Sequence, residues 1–375
     1  MTERSIANPH PHTATHGGKV RARGLGLPFD GKPGPSNAIT DVTGVEVGYT
    51  TLIEGDGPLV RGKGPVRTGV TAILPRGRKD GTPCAAGVHA LNGNGEMTGF
   101  VWIEEAGELQ TPITITNTHS CGVTRDATIR WLVEGGLGTS QNWGLPVAAE
   151  TYDGFLNDIN GFHVTVEHTL KALEGAQGGP LELGSVGGGT GMMTYEFKGG
   201  CGTASRIVSV NGENYTVGTF VQSNFGRRHE LTVLGVPVGR HLRGGEFLDE
   251  GTGSIIAIVA TDAPLLPHQL KRMARRVSMG LARTGTVGHN GSGDIFLAFS
   301  TANAAAFQPG SGERDMRYLP NGDLNPLFSA VVETVEEAVI DAMVANEDMT
   351  GIDGFTVKAL PHDRLLELMK QYGRL

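Results

Sequence analysis

Glycine occurs at close intervals along this sequence and interrupts its apolar runs, which are therefore short. The chain contains 58 glycines among 375 residues, about twice the average usage. They follow neither the period of collagen nor the polar monotony of a disordered chain. Because glycine permits tight turns and close approach between backbone segments, we predict a fold of many short elements joined by tight turns.

Apolar or alternating runs bounded by glycine predict strands along much of the chain. They lie at residues 45–47, 70–74, 113–116, 207–210, 215–221, 255–260 and 295–299. The run at 255–260, IIAIVA, is rich in β-branched residues, which is typical of a strand buried on both faces.

Two stretches have the periodicity of amphipathic helices. One covers residues 267–282, and its apolar face consists of Leu270, Met273, Ala274, Val277 and Leu281. The other covers 327–345 and follows Asn325 and Pro326, residues that favour a helix start. Strands mixed with helices, without a strict βαβ rhythm, predict helices packed on sheets in layers, an α+β fold.

Composition argues against several classes of function. The formal net charge is −8 and only 6% of residues are aromatic, so a nucleic-acid partner is not expected. No stretch approaches the roughly 20 apolar residues of a membrane span, and the first residues lack the apolar core of a secretion signal. We therefore expect no membrane partner and a cytoplasmic location.

The cysteines and histidines do not indicate a metal site. The three cysteines, Cys84, Cys121 and Cys201, are far apart in sequence, which favours reduced thiols over disulfides. Residues 1–35 are polar and rich in Gly, Pro and His, which is typical of a mobile arm or of a segment draped over the surface. Its histidines fit a flexible tail better than a metal site.

Three short motifs lack the residues that their chemistry needs. The SVGGGTG stretch at 185–191 has no Gly-Lys-Ser/Thr ending, so nucleotide binding is not predicted. His229 and Glu230 lack the second histidine of a zinc-protease helix and are interpreted as a surface turn. His289, beside Asn290 and Gly291, is interpreted as a turn residue.

Ser254 stands between a glycine-rich loop and the predicted buried strand, and this position has a chemical interpretation. Attack by its hydroxyl on the carbonyl of Gly253 would convert the peptide bond to an ester, and hydrolysis would leave Ser254 as a new N-terminus. Glycine before the serine permits close approach and an otherwise strained peptide. The freed α-amino group, with an ordinary pKa of about 7.7–8.0, could act as a general base near neutral pH.

Several segments along the chain, in the same order as in one enzyme family, resemble the sequences of that family. They are NAITDVTGVEVGYTTL from 37, RTGVTAILPRG from 67, GNGEMTG at 93–99, ITNTHSCGVTRDA at 115–127, ETYDGFLND at 150–158, FKGGCGTASR at 197–206, QSNFG at 222–226, GTGSI at 251–255, TDAPLLPHQLKR at 261–272 and GSGD at 291–294. The chain thus resembles, over nearly its whole length, the self-processing L-aminopeptidase/D-amidase-esterases and β-aminopeptidases, which have an N-terminal serine nucleophile.

The resemblance implies roles for individual residues. Ser254 matches the nucleophile of self-cleavage and catalysis, and Ser292 with Asp294 matches the pair that orients it and relays its proton. Some relatives have glutamate at the position of Asp294. Asn224 matches the donor to the developing oxyanion, and Tyr152 would line the same pocket and could donate as well.

Further expectations concern Glu150, and the site residues also have structural alternatives. Glu150 could pair with the free ammonium of the substrate. Without the family match, Ser292, Asp294 and Asn224 would be interpreted as turn residues and Tyr152 as an ordinary half-buried tyrosine. Thr118, His119 and Ser120 could reach the site or serve structural roles.

The family's architecture implies a four-layer αββα sandwich in which two central β-sheets lie between helical layers. The chain would be cut into an α chain, 1–253, and a β chain, 254–375, and the αβ units would assemble as a homo-oligomer, often a tetramer. The implied substrates are short peptides, amides or esters with a free amino terminus, and no metal or organic cofactor is required. Two alternatives remain: an acyltransferase related to the ornithine acetyltransferases, which use threonine at the cleavage point, and an uncut binding protein.

Overall fold

The computed structural model describes residues 10–135, 143–248 and 252–375. Its strands are β1 Glu46–Glu54, β2 Val66–Leu74, β3 Cys84–Gly93, β4 Glu108–Leu109, β5 Ile113–Asn117, β6 Val147–Thr151, β7 Met193–Thr194, β8 Phe197–Lys198, β9 Gly200–Val210, β10 Glu213–Asn224, β11 Thr252–Thr261, β12 Gly291–Ser300, β13 Met349–Thr350 and β14 Thr356–Val357. Its helices are α1 Phe100–Ala106, α2 Cys121–Glu134, α3 Val166–Glu174, α4 Val238–His241, α5 Pro267–Arg283, α6 Asn325–Val344 and α7 His362–Gln371.

Two larger sheets organise these strands. The first has six strands in the order β4-β3-β12-β11-β10-β9, and the second has four in the order β1-β2-β5-β6. Each is mixed, because β11 and β12 run parallel in the first and β5 and β6 run parallel in the second, while the other neighbours are antiparallel. This arrangement confirms the predicted mixture of helices and sheets.

Strand β11 is buried on both faces, as its β-branched composition predicts. Its side chains alternate between two apolar clusters, since successive residues of a strand point to opposite faces. Ile256 and Ile258 belong to a cluster shared with Ile73 and Ile115 of the four-stranded sheet. Residues on the other face of β11, such as Val259, belong to the cluster that contains the apolar side chains of α5 and α6.

Helices α2 and α3 cover one face of the four-stranded sheet. A third cluster joins Trp131 of α2 and Leu173 of α3 to Val70, Ala72 and Leu74 of β2. Both predicted helices are confirmed: α5 buries the predicted apolar face, and α6 begins at Asn325, with proline in its first turn. The amphipathic pattern is wrong for α6, because this helix is buried on almost all sides, including Glu336, Glu337 and Asp341. No helix in the described ranges is long and apolar enough to be a candidate membrane span.

The N-terminal segment from residue 10 to residue 35 packs against the body of the protein. Arg21 is buried and its guanidinium lies 2.6 Å from a carboxylate oxygen of Asp341 on α6. Leu27 and Phe29 join the apolar cluster beneath α6. Of the two predicted alternatives, a mobile arm is therefore wrong for this stretch, and residues 1–9 lie outside the described residues.

The three cysteines all lie in described ranges, and each is a buried free thiol. Within those ranges no group of three or more His, Cys, Asp or Glu side chains has the spacing to hold a metal ion.

Candidate active site

The adjacent ends of β10, β11 and β12 bring together the residues predicted from the sequence to act with the nucleophile. Ser254 on β11 pairs with Asn224 on β10 and with Gly293 on β12. Gly253 pairs with Ser292 on the parallel strand β12. The nucleophile predicted from the sequence therefore lies inside the six-stranded sheet, between two strands that each carry a predicted partner.

Gly253 occupies a position that only glycine fits. Its φ is +140°, a conformation that residues with a Cβ rarely adopt. A Cβ atom there would lie 2.2 Å from the carbonyl oxygen of Asn224 and 2.8 Å from Cα of Phe225. Both contacts are with backbone atoms, so the neighbouring strand would have to move to admit any other residue.

The hydroxyl of Ser254 is buried and contacts the peptide bond that precedes it. Its Oγ atom donates a hydrogen bond to the carbonyl oxygen of Gly253 at 2.7 Å. The backbone N–H of Gly293 donates to Oγ at 3.3 Å. Oγ thus lies beside the carbonyl group of Gly253.

Ser292 and Asp294 lie on one face of β12, because residues two apart in a strand point the same way. Ser292 Oγ donates to Asp294 Oδ1 at 2.6 Å, and both residues are buried. Burial raises the pKa of Asp294 above its usual value, while hydrogen bonds from Ser292, Asn92 and the backbone of Ile255 oppose that shift. The turn interpretation of this Gly-Ser-Gly-Asp stretch is wrong, since it begins β12.

Asn224 ends β10 with both atoms of its side-chain amide engaged, so it is not a turn residue either. Oδ1 accepts from the N–H of Met193 at 2.9 Å, and Nδ2 donates to the carbonyl oxygen of Tyr152 at 2.9 Å. These bonds fix the orientation of the amide. Since the amide nitrogen has two hydrogens, one donor is left to face a substrate oxygen.

A pocket of about 500 Å³ opens beside Ser254. Its lining includes Tyr152, Asn224, Gly253 and Ser254, together with an apolar part that contains Phe155, Met193, Phe225 and Leu248. Tyr152 is 42% exposed, so its ring is accessible at the wall of the pocket. The sequence prediction for Tyr152 and Asn224 therefore agrees with their location.

Three glutamates, Glu96, Glu150 and Glu196, also line this pocket. The Glu150 carboxylate is buried. It accepts a hydrogen bond from the N–H of Glu96 at 2.9 Å and another from the hydroxyl of Thr118. Burial raises its pKa above the usual value. An acidic wall next to a nucleophile is chemically suited to a cationic group of a ligand.

Glu196 is a residue of the pocket that the sequence did not indicate. Its carboxylate accepts three backbone N–H groups, from Arg228 at 2.9 Å, Phe247 at 2.7 Å and Leu248 at 2.9 Å. It thereby holds the segment that leads toward Gly253 against the pocket wall. Its φ of +60° is unusual for a residue with a side chain, but no sequence pattern marks it.

The remaining residues considered from the sequence lie at the edge of the pocket or outside it. Thr118 lines the pocket, whereas His119 stacks on Phe162 with 6.2 Å between ring centroids. His229 lies in a short 3-10 helix that spans Arg228–Glu230. Ser120 is buried and not among the lining residues.

Comparison with known proteins places this geometry among peptidases. The model of peptidase family S58 matches residues 37–357. The beta-peptidyl aminopeptidase BapA of Sphingosinicella microcystinivorans is 53% identical over 371 residues, which cover 95% of this chain and 93% of that protein.

Two solved structures are similar over almost their full length. The L-aminopeptidase D-Ala-esterase/amidase of Ochrobactrum anthropi, described as a prototype for the serine aminopeptidases and a new variant among the Ntn hydrolase fold, has a TM-score of 0.88 and 50% identity, covering 95% of this chain and 99% of that one. The beta-aminopeptidase of a Burkholderia species has a TM-score of 0.87 and 48% identity, covering 94% of this chain and 99% of that one.

Proposed function

The chain belongs to peptidase family S58, and from that premise we propose that it is a self-cleaving serine aminopeptidase. Its substrates are short peptides, amides and esters that carry a free amino terminus. The observation that carries the proposal is the position of Ser254 Oγ, 2.7 Å from the carbonyl oxygen of the residue before it. That residue is a glycine whose conformation admits no Cβ.

The proposed self-cleavage has two steps. Ser254 Oγ attacks the carbonyl carbon of Gly253 and its hydroxyl proton passes to the Ser292 and Asp294 pair; the peptide C–N bond then breaks and the amide nitrogen takes up a proton. Water next hydrolyses the resulting ester. The products are a carboxylate on Gly253 and a free α-amino group and hydroxyl on Ser254.

Turnover of a substrate repeats the same chemistry on an external carbonyl. The ammonium group of the substrate binds at the Glu150 carboxylate, and its scissile carbonyl faces Ser254. Asn224 and Tyr152 donate to the oxyanion, where fixed donors stabilise the transition state more than the ground state. The base is the freed α-amino group of Ser254 or the Ser292 and Asp294 pair, and water releases the acyl-enzyme.

The products of self-cleavage are an α chain, 1–253, and a β chain, 254–375. They remain together because β11 is paired along its length with β10 on one side and β12 on the other. The apolar clusters between the two sheets and outside each of them support the proposed four-layer αββα arrangement. Assembly into a homo-oligomer such as a tetramer of αβ units, and a cytoplasmic location, remain predictions.

Intact mass under denaturing conditions, measured on wild type and on Ser254→Ala, tests the proposal. Wild type should give fragments of about 27 and 13 kDa, in proportion to their lengths within a 39.4 kDa chain. These fragments are expected because the Ser254 hydroxyl is the nucleophile that cleaves the chain's own Gly253–Ser254 bond. Ser254→Ala should remain full length. A wild-type chain that stays uncut, with no activity on any amide, would instead support the uncut binding protein.

Cleaved enzyme should then be assayed on matched amides of L-, D- and β-amino acids, each with an N-acetylated counterpart. Hydrolysis of the free amines and not of the acetylated compounds is expected, because Glu150 binds the ammonium group. Transfer of an acetyl group from acetylornithine to glutamate would support the acyltransferase instead.

A further inference from the structure

We propose that Asn92, on β3, is a positioning residue that fixes the carboxylate of Asp294 for its work with Ser292. The proposal rests on the function given above, in which Ser292 and Asp294 assist Ser254. Asn92 is not among the residues that line the pocket, and its side chain hydrogen-bonds to Asp294 and to the backbone of His289, so we place its action through Asp294 and not on the substrate.

Besides the backbone of Ile255, two side chains donate to the Asp294 carboxylate, one to each oxygen. Oδ1 accepts from Ser292 Oγ at 2.6 Å, and Oδ2 accepts from Asn92 Nδ2 at 2.9 Å. The terminal torsion of aspartate is broad, so its carboxylate is oriented less firmly when it loses one of its donors. With a donor on each oxygen, Oδ1 is kept facing Ser292.

Asn92 also ties Asp294 to the turn that precedes Ser292. Its Nδ2 atom lies 3.2 Å from the carbonyl oxygen of His289. The same carbonyl accepts from the N–H of Ser292 at 2.9 Å. One amide therefore links the side chain of Asp294 with the backbone that determines where Ser292 lies.

A β-bulge places Asn92 opposite Asp294. Along the body of the sheet, β3 and β12 pair in a regular register that ends with Ala90 opposite Ile295. If that register continued, Leu91 would stand opposite Asp294, and the carboxylate would face an apolar side chain. The register shifts at this point and Asn92 takes the place, while Leu91 is 42% exposed. Bulges near active sites commonly re-aim a side chain in this way.

A side-chain hydrogen bond between His289 and Glu230 supports the same turn. His289 Nε2 lies 2.7 Å from Glu230 Oε1, and Glu230 Oε2 accepts from the N–H of Arg227 at 3.1 Å. The turn that offers its carbonyl to Asn92 is thus attached to the segment after β10. His289 and Tyr195 are the titratable side chains whose charge state couples to Asp294. Tyr195 is fully buried and burial raises its pKa, so it stays neutral near neutral pH.

Kinetics of self-cleaved enzyme carrying Asn92→Ala or Asn92→Asp test this role against a purely structural one. Loss of the donor to a buried carboxylate favours its protonated form. We expect the acidic limb of the kcat/KM pH profile to move to higher pH, and farther for Asn92→Asp, which adds a like charge. At the wild-type optimum, kcat/KM should fall about 10- to 100-fold. Self-cleavage should slow in parallel.

Leu91→Ala is the matched control, because it alters the neighbouring bulge residue without touching Asp294, and it should keep the wild-type profile. Asn92→Asp nearly preserves side-chain size, so the comparison survives if Asn92→Ala does not fold. An unmoved acidic limb in either folded Asn92 variant would overturn the proposal, whether or not activity falls. Absence of cleavage in wild type would instead reject the proposed function itself.

Discussion

The Oγ atom of Ser254 lies 2.7 Å from the carbonyl oxygen of Gly253 within an unbroken strand. Under the proposed function, the bond between these residues is cut inside a sheet and not in an exposed loop. Because β10 and β12 pair with Ser254 on its two sides, the N-terminus formed by the proposed cleavage would already lie beside its partner residues. Activation and catalysis can then use one set of groups.

Gly253→Ala should block activation. The added Cβ would lie 2.2 Å from the carbonyl oxygen of Asn224, and φ of +140° is strained for alanine. We expect the half-life of the full-length chain to increase at least about tenfold, since a misplacement of about 1 Å can cost 100-fold in rate. Denaturing gels over time provide the measurement.

Gly122→Ala serves as the control for that experiment, because Gly122 lies in α2 and a Cβ there meets nothing within 4 Å. It should be cleaved at the wild-type rate. If Gly253→Ala is also cleaved at that rate, the close approach to β10 is not needed for activation.

Asp294→Asn should slow both self-cleavage and turnover while leaving the fold intact. Asparagine can still accept from Ser292 but carries no charge to receive or stabilise a proton. The loss of kcat/KM should be about 10²- to 10⁴-fold, the usual contribution of a positioned acid or base. Stopped self-cleavage assays and amide hydrolysis measure it, and unchanged thermal unfolding verifies the fold.

Two further variants interpret that result. Asp294→Glu should recover part of the activity, because it restores the charge on a longer arm. Asp363→Asn, on the exposed surface of α7, should behave as wild type. Full activity in Asp294→Asn would assign the base to the α-amino group of Ser254 alone.

Glu150→Gln should weaken binding of the substrate's ammonium group. We expect KM for free-amine substrates to rise about tenfold or more, the loss of one charge-assisted hydrogen bond, with a smaller effect on kcat. Burial raises the pKa of Glu150, so wild-type affinity should decline as pH falls through that raised value. The variant should lack this decline, because glutamine does not titrate.

An activated ester without the amino group, reactive enough to be hydrolysed slowly without the Glu150 contact, is the matched control substrate. Its hydrolysis should be nearly equal in wild type and Glu150→Gln. If both kinds of substrate are affected alike, Glu150 shapes the pocket through Thr118 and Glu96 and does not bind the ammonium.

Sequence periodicity predicted the elements that carry the site better than it predicted the site's inner contacts. The apolar, β-branched residues of β11 predict that the strand is buried on both faces, and the apolar spacing of α5 identifies its buried face. The stretch at 291–294 misleads because its glycines are typical of turns. Here they permit backbone contact instead: a Cβ on Gly293 would lie 2.4 Å from the carbonyl oxygen of Asn94.

The roles of Asn92 and Glu196 could not be predicted, since both arise from tertiary register. Asn92 reaches Asp294 only because a bulge shifts β3 against β12. Glu196 gains its three N–H donors from segments that begin more than thirty residues along the chain. The family resemblance supplied the candidate residues of the site. The contacts that hold those residues in place depend on how the strands pack, and the sequence does not show that packing.

Asp153 should make stability depend on pH. It follows Tyr152, is fully buried, and its Oδ2 atom has no hydrogen-bond partner in the described part of the chain. Burial raises its pKa from 3.8 to about 7. Between those values the folded state binds a proton that the unfolded state does not, so this contribution is fully present below pH 3.8 and is lost as pH rises through about 7.

Urea unfolding of the uncut Ser254→Ala chain, with and without Asp153→Asn, measures this contribution. Asparagine stays neutral, so the double variant should lose less stability between pH 5 and pH 8. The difference between the two chains should change by about 2 to 3 kcal/mol across that range, since about two pH units of the titration lie within it. The same comparison with the exposed Asp363→Asn should give no pH-dependent difference. A constant difference for Asp153→Asn would mean that Asp153 is already ionised at pH 5 and that its burial is compensated by the polar groups around it.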